Sequence, residues 1–152
     1  MSLNISKCVT LKCSRRPPLF SSSYLIFNLP LKQVTEHPYM GVVIDAKTSF
    51  SAHIDHIIFK TTKMLKFIRC NLCKCNKEVK CMAYLSLVQP SLEYASSTWN
   101  PYLIKDIMAI EKIQRHAACW VTANYNWRNG ISITSTLTDL GWPILSKRRQ
   151  IF

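Results

Sequence analysis

Acidic side chains are scarce in this chain. Eight Asp plus Glu stand against 20 Lys plus Arg, a formal charge of +12. So positive a field on a small protein selects anionic partners: nucleic acid first, then an anionic membrane surface or an acidic protein. Glycine is scarcer still, with three residues in 152, which disfavours a turn-rich all-β fold. No apolar run approaches the roughly 18 residues that a transmembrane helix needs. The opening "MSLNISKCVTLKC" puts a lysine and cysteines where a signal peptide has an unbroken apolar stretch. The expectation is an intracellular protein, cytoplasmic or nuclear, with no membrane partner and no small-molecule substrate; oligomeric state stays open. Cysteines number seven, an odd count, and in a reducing compartment they read as buried small apolar residues or incidental exposed thiols. There is no internal repeat, no low-complexity segment and no Asp-Asp pair.

What is present is apolar content typical of a globular chain, 48% of residues. The size suits one domain with a modest core or two very small ones. Residues 1–48 read as β-rich. "KCVTLKC" alternates weakly, "SSYLIFNLPL" is an aromatic and aliphatic run ended by Pro30, and "PYMGVVID" is a short apolar run with two valines. Separated by "SRRPP" and "KQVTEHP", they predict three strands of one small antiparallel sheet. From residue 49 the period becomes helical. Ser49 or Ser51 is a candidate cap, with Asp55 near the positive end. Ile54, Ile58, Thr61, Leu65, Ile68 and Leu72 define one face. Lys60, Lys63, Lys66 and Arg69 fall on the opposite side, with Phe59 and Phe67 among them.

A second helix is predicted from Asn76 as cap through Val79, Ala83 and Leu87 to Pro90, which breaks or kinks it. "SLEYASSTW" can continue it as another helical piece. A third spans 103–123, with Leu103, Ile107, Ile110, Ala117 and Val121 buried and Lys112 and Arg115 facing out. "NYNWRNG" reads as a loop, and Ser132 or Thr134 as the cap of a short helix ending at Gly141. The fold class is therefore α+β: a short N-terminal antiparallel hairpin or sheet, residues 1–48, then a mainly helical bundle of three to four helices, residues 49–152. Taken alone, this pattern suggests a nucleic-acid-binding module.

Cys70, Cys73, Cys75 and Cys81, with His53 and His56 nearby, raise a zinc-stabilised interaction domain as a weaker reading. Two separated ligand pairs are the usual zinc pattern, whereas these cysteines lie in one run, where tetrahedral closure is difficult. No metal ligand and no catalytic residue is assigned. His116 has no cysteine or serine partner at a recognisable spacing and reads as a surface residue of the third helix.

Three ordered segments resemble the reverse transcriptases of non-LTR (LINE-type, jockey-like) retrotransposons. "LNISKC" at 3–8 is similar to the Asn-x-x-Lys signature that follows the family's catalytic centre. "YMGVVIDAKTSFSAHI" at 39–54 is similar to its Tyr-Leu-Gly-Val strand and following helix start. The run from "AYLSLVQPSLEYASSTWNPY" at 83–102 through "IEKIQRHAACWVTANY" at 110–125 to "LTDLGWPILSKRR" at 137–149 resembles a third series, in order and at matching spacing. The resemblance implies the end of a palm with its primer-grip hairpin, followed by a thumb.

In that family two Mg²⁺ ions on palm aspartates carry phosphoryl transfer. The Tyr/Phe-x-Asp-Asp motif lies upstream of the Asn-x-x-Lys segment, and the resemblance implies a C-terminal fragment with no polymerase activity of its own. Mg²⁺ belongs to the complete parent enzyme, and no cofactor is expected here. The partner implied is an RNA or DNA primer–template duplex. Lys7 corresponds to the post-catalytic lysine, and Tyr39, Met40 and Gly41 to the primer-grip strand. Otherwise Lys7 is a surface lysine, and Gly41 a bulge in a buried strand. Lys60, Lys63, Lys66, Arg69, Lys74, Lys77 and Lys80 form the strongest cationic cluster, suited to sequence-independent phosphate contact. The alternative function is a non-catalytic basic helical module that binds nucleic acid or an acidic protein in its own right.

Overall fold

The computed structural model describes residues 4–14, 23–125 and 133–149. The chain is mixed α+β and divides into two compact units, Met1–His53 and Ile54–Phe152.

The first unit holds short strand pairs. A 3-10 turn, Ile5–Lys7, is capped by Asn4, whose side chain accepts from the Ser6 N–H at 3.1 Å. Strand β1 (Val9–Leu11) is followed by β2 (Leu25–Ile26), β3 (Leu29–Pro30), β4 (Lys32–Val34), β5 (Glu36–Tyr39) and β6 (Val42–Asp45). They form three two-stranded ladders: β1 with β4, parallel, and β2 with β3 and β5 with β6, both antiparallel.

The single antiparallel sheet expected from the sequence is thus corrected. The run "YLIFNLPL" folds back on itself at Phe27 and Asn28, both with positive φ, 49° and 62°, as a two-residue hairpin turn requires. "KQVTEHP" is not a separator but supplies β4 and part of β5. Its isolated valine and histidine positions gave no alternation to signal a strand.

The β5–β6 ladder ends in a second two-residue turn, Met40–Gly41, with φ 47° and 80°. His53 is 1% exposed, and its Nδ1 accepts from the Val43 N–H at 3.2 Å. Its placement is structural. Asp45 closes the unit: Oδ2 accepts from Ser49 Oγ at 2.8 Å and Oδ1 from the Phe50 N–H at 3.1 Å. The Ser51 N–H reaches Ser49 Oγ at 3.4 Å, so Asp45 and Ser49 together satisfy backbone donors left open at a helix start.

The second unit is helical. Helix α1 (Ser51–Asn71) buries Ile54, Ile57, Thr61, Leu65 and Ile68. The expected stripe holds, with Ile57 deeper than Ile58. Thr61 satisfies its buried hydroxyl by donating to the Ile57 carbonyl at 2.6 Å. Helix α2 (Lys77–Ala83) starts at Asn76, whose side chain accepts from the Val79 N–H at 3.0 Å, as the sequence predicts.

Pro90 does not end this helix. A π turn, Tyr84–Val88, in which the Gln89 N–H bonds back to the Tyr84 carbonyl, leads straight into α3 (Gln89–Glu93). The extra residue of the π turn absorbs the distortion that a proline ring imposes on the preceding turn. Ala95 then takes the left-handed conformation, φ 52°, before the short α4 (Ser96–Trp99).

Helix α5 (Ile104–Thr122) packs against α2, α6 (Ile133–Asp139) and α7 (Leu145–Arg149) and is the centre of the unit. The expected "three to four" helices are exceeded because the segment after Pro90 and the last residues each add short turns. Ser132 and most of the "NYNWRNG" loop lie outside the described residues; Thr134 lies within α6 instead of capping it.

The core includes Tyr84, Val88, Leu92, Trp99, Ile110, Ala117, Trp142 and Leu145. Tyr84 and Trp142 stack with ring centroids 4.4 Å apart. Trp99 donates its indole N–H to the Tyr94 carbonyl at 2.7 Å. Tyr94, five residues before the buried Trp99, is 56% exposed. Ala95 turns the chain between them and sends the Tyr94 side chain outward.

Candidate nucleic-acid interface

The long α1 helix carries its cations as the 3.6-residue period dictates. Lys60, Lys63, Lys66 and Arg69 are exposed, on the side away from Ile54, Thr61, Leu65 and Ile68. Lys74 lies in the turn after α1 and Lys77 opens α2; both are exposed. Lys80 is half-buried, with its ammonium 5.8 Å from the centre of the Trp120 ring. Among the described residues, none of these seven cations pairs with a carboxylate. Charge that is not internally neutralised remains available to phosphate.

Two exposed aromatic rings interleave with this charge. Phe59 and Phe67 flank Lys63 at helical spacing, and the Lys63 ammonium sits 4.7 Å from the Phe59 ring centre. Together with His56, Lys60 and Met64 they line an open cleft of about 510 Å³. A second groove, about 570 Å³, runs past Lys66, Arg69, Lys80 and Trp120. A third, about 590 Å³, lies between the end of α1 and the outer face of α5; Lys105, Lys112, Arg115 and His116 meet Arg69 there. Arg69 and Tyr125 line both the second and the third, so these two grooves adjoin at the end of α1.

The sequence placed Lys112 and Arg115 outward but gave no reason to join them to α1. Only the packing of α5 brings them beside Arg69. Burial first, and then the charges of Lys112 and Arg69, hold the His116 imidazole below the ordinary histidine value.

The other predicted residues lie in the first unit and are reported within it. Lys7 is exposed at the end of the 3-10 turn. Tyr39 ends β5 and is 59% exposed. Met40 and Gly41 occupy the turn of the β5–β6 hairpin and are not extended strand residues. Their positive φ values are those of a turn, not an extended strand.

Three carboxylates, those of Glu93, Glu111 and Asp45, are committed elsewhere. Glu93 receives Arg148, Nε–Oε1 at 2.6 Å and Nη2–Oε2 at 3.2 Å, and also the Gln89 amide at 3.0 Å. Glu111 accepts from the Ser146 N–H at 2.8 Å and lies 3.9 Å from the buried Arg149 guanidinium. Asp45 caps α1. Among the described residues, no group of three or more His, Cys, Asp or Glu side chains could hold a metal ion. Among the same residues, no helix is long and apolar enough to cross a membrane.

No family model matches the chain, and no solved structure matches it. It is similar to the probable RNA-directed DNA polymerase from transposon X-element of Drosophila melanogaster, 26% identical over 129 residues. The match covers 80% of this chain and 14% of that protein's length. This likeness supports a relationship to the RNA-directed DNA polymerases.

Proposed function

We propose that this chain is the palm-end and thumb portion of a jockey-like non-LTR reverse transcriptase, and that its helical unit holds primer–template duplex through the phosphate backbone. The observation that carries the reading is the outer half of α1: Lys60, Lys63, Lys66 and Arg69 are exposed along a helix of 21 residues, winding across the side away from its apolar stripe, without carboxylate partners among the described residues. Such a ladder contacts successive phosphates and reads no bases. The likeness to a transposon polymerase supports the same reading. Phosphoryl transfer needs paired metal-binding carboxylates, and the 152 residues contain no Asp-Asp pair. The chain by itself acts as a holder of nucleic acid, not as a polymerase, and lies in the cytoplasm or nucleus.

The test is duplex binding by fluorescence anisotropy across a salt series. Lys63→Glu plus Lys66→Glu should lower duplex affinity and flatten the salt dependence by about 0.9 per lost phosphate contact. An unchanged affinity and slope would remove α1 from the interface. Template-dependent primer extension by the purified chain would contradict the non-catalytic assignment.

A further inference from the structure

The groove between α1 and α5 differs in kind from the open α1 face. Its walls carry Arg69 from α1 and Lys105, Lys112 and Arg115 from α5. Among the described residues, no carboxylate lines it. Its floor and rim include apolar surface, Met108 and Ala109, and the half-exposed Tyr125 ring. At about 590 Å³ it has the size of a small-ligand site, roughly 300–1,000 Å³. That admits a few nucleotide units and excludes a double helix. A cationic groove with an exposed aromatic ring is the combination that holds single strands, the charge tracking phosphates and the ring stacking a base.

We propose that this groove binds the phosphodiester backbone of a short single-stranded segment, with Arg69, Lys105, Lys112 and Arg115 as phosphate donors and Tyr125 as the stacking surface. The proposal rests on the helical unit being a nucleic-acid holder; it shares Arg69 with the α1 face and otherwise uses residues of α5 and Tyr125.

His116 lines the same groove, facing Arg69 from α1, Lys112 and Arg115 from its own helix, and Cys119 and Tyr125 at the rim. Burial first, and then the charges of Lys112 and Arg69, depress its protonation; a bound phosphate beside the ring offsets those charges and favours the imidazolium. Binding therefore draws a proton onto His116, and single-strand affinity rises as pH falls below neutrality.

The test uses the full chain and two probes. The first is a labelled oligothymidylate, compared with a hairpin duplex. Lys112→Glu plus Arg115→Glu should weaken oligothymidylate binding about tenfold, with the salt slope shallower by about 0.7 per lost contact. The same variant should spare duplex binding, and Lys60→Glu plus Lys63→Glu should do the reverse. Equal losses of both ligands in both variants would mean a general charge effect and overturn the groove.

The second probe is inorganic pyrophosphate, followed through the His116 ring proton by NMR and assigned by its loss in His116→Gln. Pyrophosphate should raise the His116 pKa, and Arg115→Glu should abolish the rise. No rise overturns the phosphate site. A rise with unchanged oligothymidylate binding in the groove variant overturns the single strand as its occupant. A rise in a protein that binds no nucleic acid sustains the phosphate site and refutes the function proposed above.

Discussion

Arg148 in α7 donates to both carboxylate oxygens of Glu93 at the end of α3, at 2.6 and 3.2 Å, across 55 positions of sequence. The pair joins the last described helix to the segment "SLEYASSTW". A two-point bond of this kind is directional as well as charged. Its side chains are 33% and 19% exposed, so solvent screening reduces its worth. Arg148→Ala should cost about 1–2 kcal/mol by chemical denaturation, and Arg148→Lys should recover only part, since an ammonium cannot span both oxygens. A midpoint unchanged in Arg148→Ala would show that α7 is held by its apolar contacts alone.

Tyr84 is fully buried against Trp142, and among the described residues its hydroxyl has no hydrogen-bond partner. Burial pushes its ionisation upward, with Glu93 and Glu111 adding to it. Tyr84→Phe keeps the stacked ring and removes an unsatisfied buried group, so stability should rise by about 1 kcal/mol. Tyr84→Ala should lose about 3–5 kcal/mol. A destabilised Tyr84→Phe would mean that the hydroxyl has a bound partner such as water.

Met40 and Ala95 both adopt positive φ, 47° and 52°, a region that costs a non-glycine residue about 1 kcal/mol or more. Met40→Asn supplies the residue that two-residue hairpin turns favour, and Ala95→Gly removes the Cβ at a helix C-terminus. Each should raise the thermal midpoint. Ala95→Val should lower it, because a branched Cβ tolerates this conformation worst. Equal midpoints for the glycine and valine variants would contradict the left-handed turn at residue 95.

Burial by itself would raise the Asp45 carboxyl, but the bonds from Ser49 and Phe50 outweigh it and hold the group below its ordinary value of 3.8. A carboxylate lowered in the folded state stabilises fully above its unfolded pKa and loses that contribution as pH falls through the folded one. Stability should therefore decline below about pH 4, and Asp45→Asn should flatten that decline while costing about 1 kcal/mol at neutral pH. Identical acid limbs in the two proteins would exclude Asp45 as the titrating cap.

Much of the helical half was legible because it rests on local rules. The α1 stripe follows from a 3.6-residue period, and Asn76 heads its helix because a short side-chain acceptor there satisfies the Val79 N–H. The cationic side of α1 is the geometric complement of that apolar stripe. The strand region was less legible. Phe27 and Met40 are poor turn residues, and nothing in their chemistry signals positive φ. Two apolar runs therefore looked like single strands when each contains a hairpin or its turn.

The residue pattern by itself determined the α+β division, the helical faces and the scarcity of carboxylate, since each depends on near neighbours in the chain or on composition. Only the tertiary structure decided that Pro90 is carried through a π turn, that Glu93 meets Arg148, and that Tyr94 faces out while Trp99 is buried. It also decided that Lys112, Arg115 and His116 share a groove with Arg69. The ion pair and the groove join residues tens of positions apart, and the π turn and the turn at Ala95 are backbone choices that no hydrophobic period encodes.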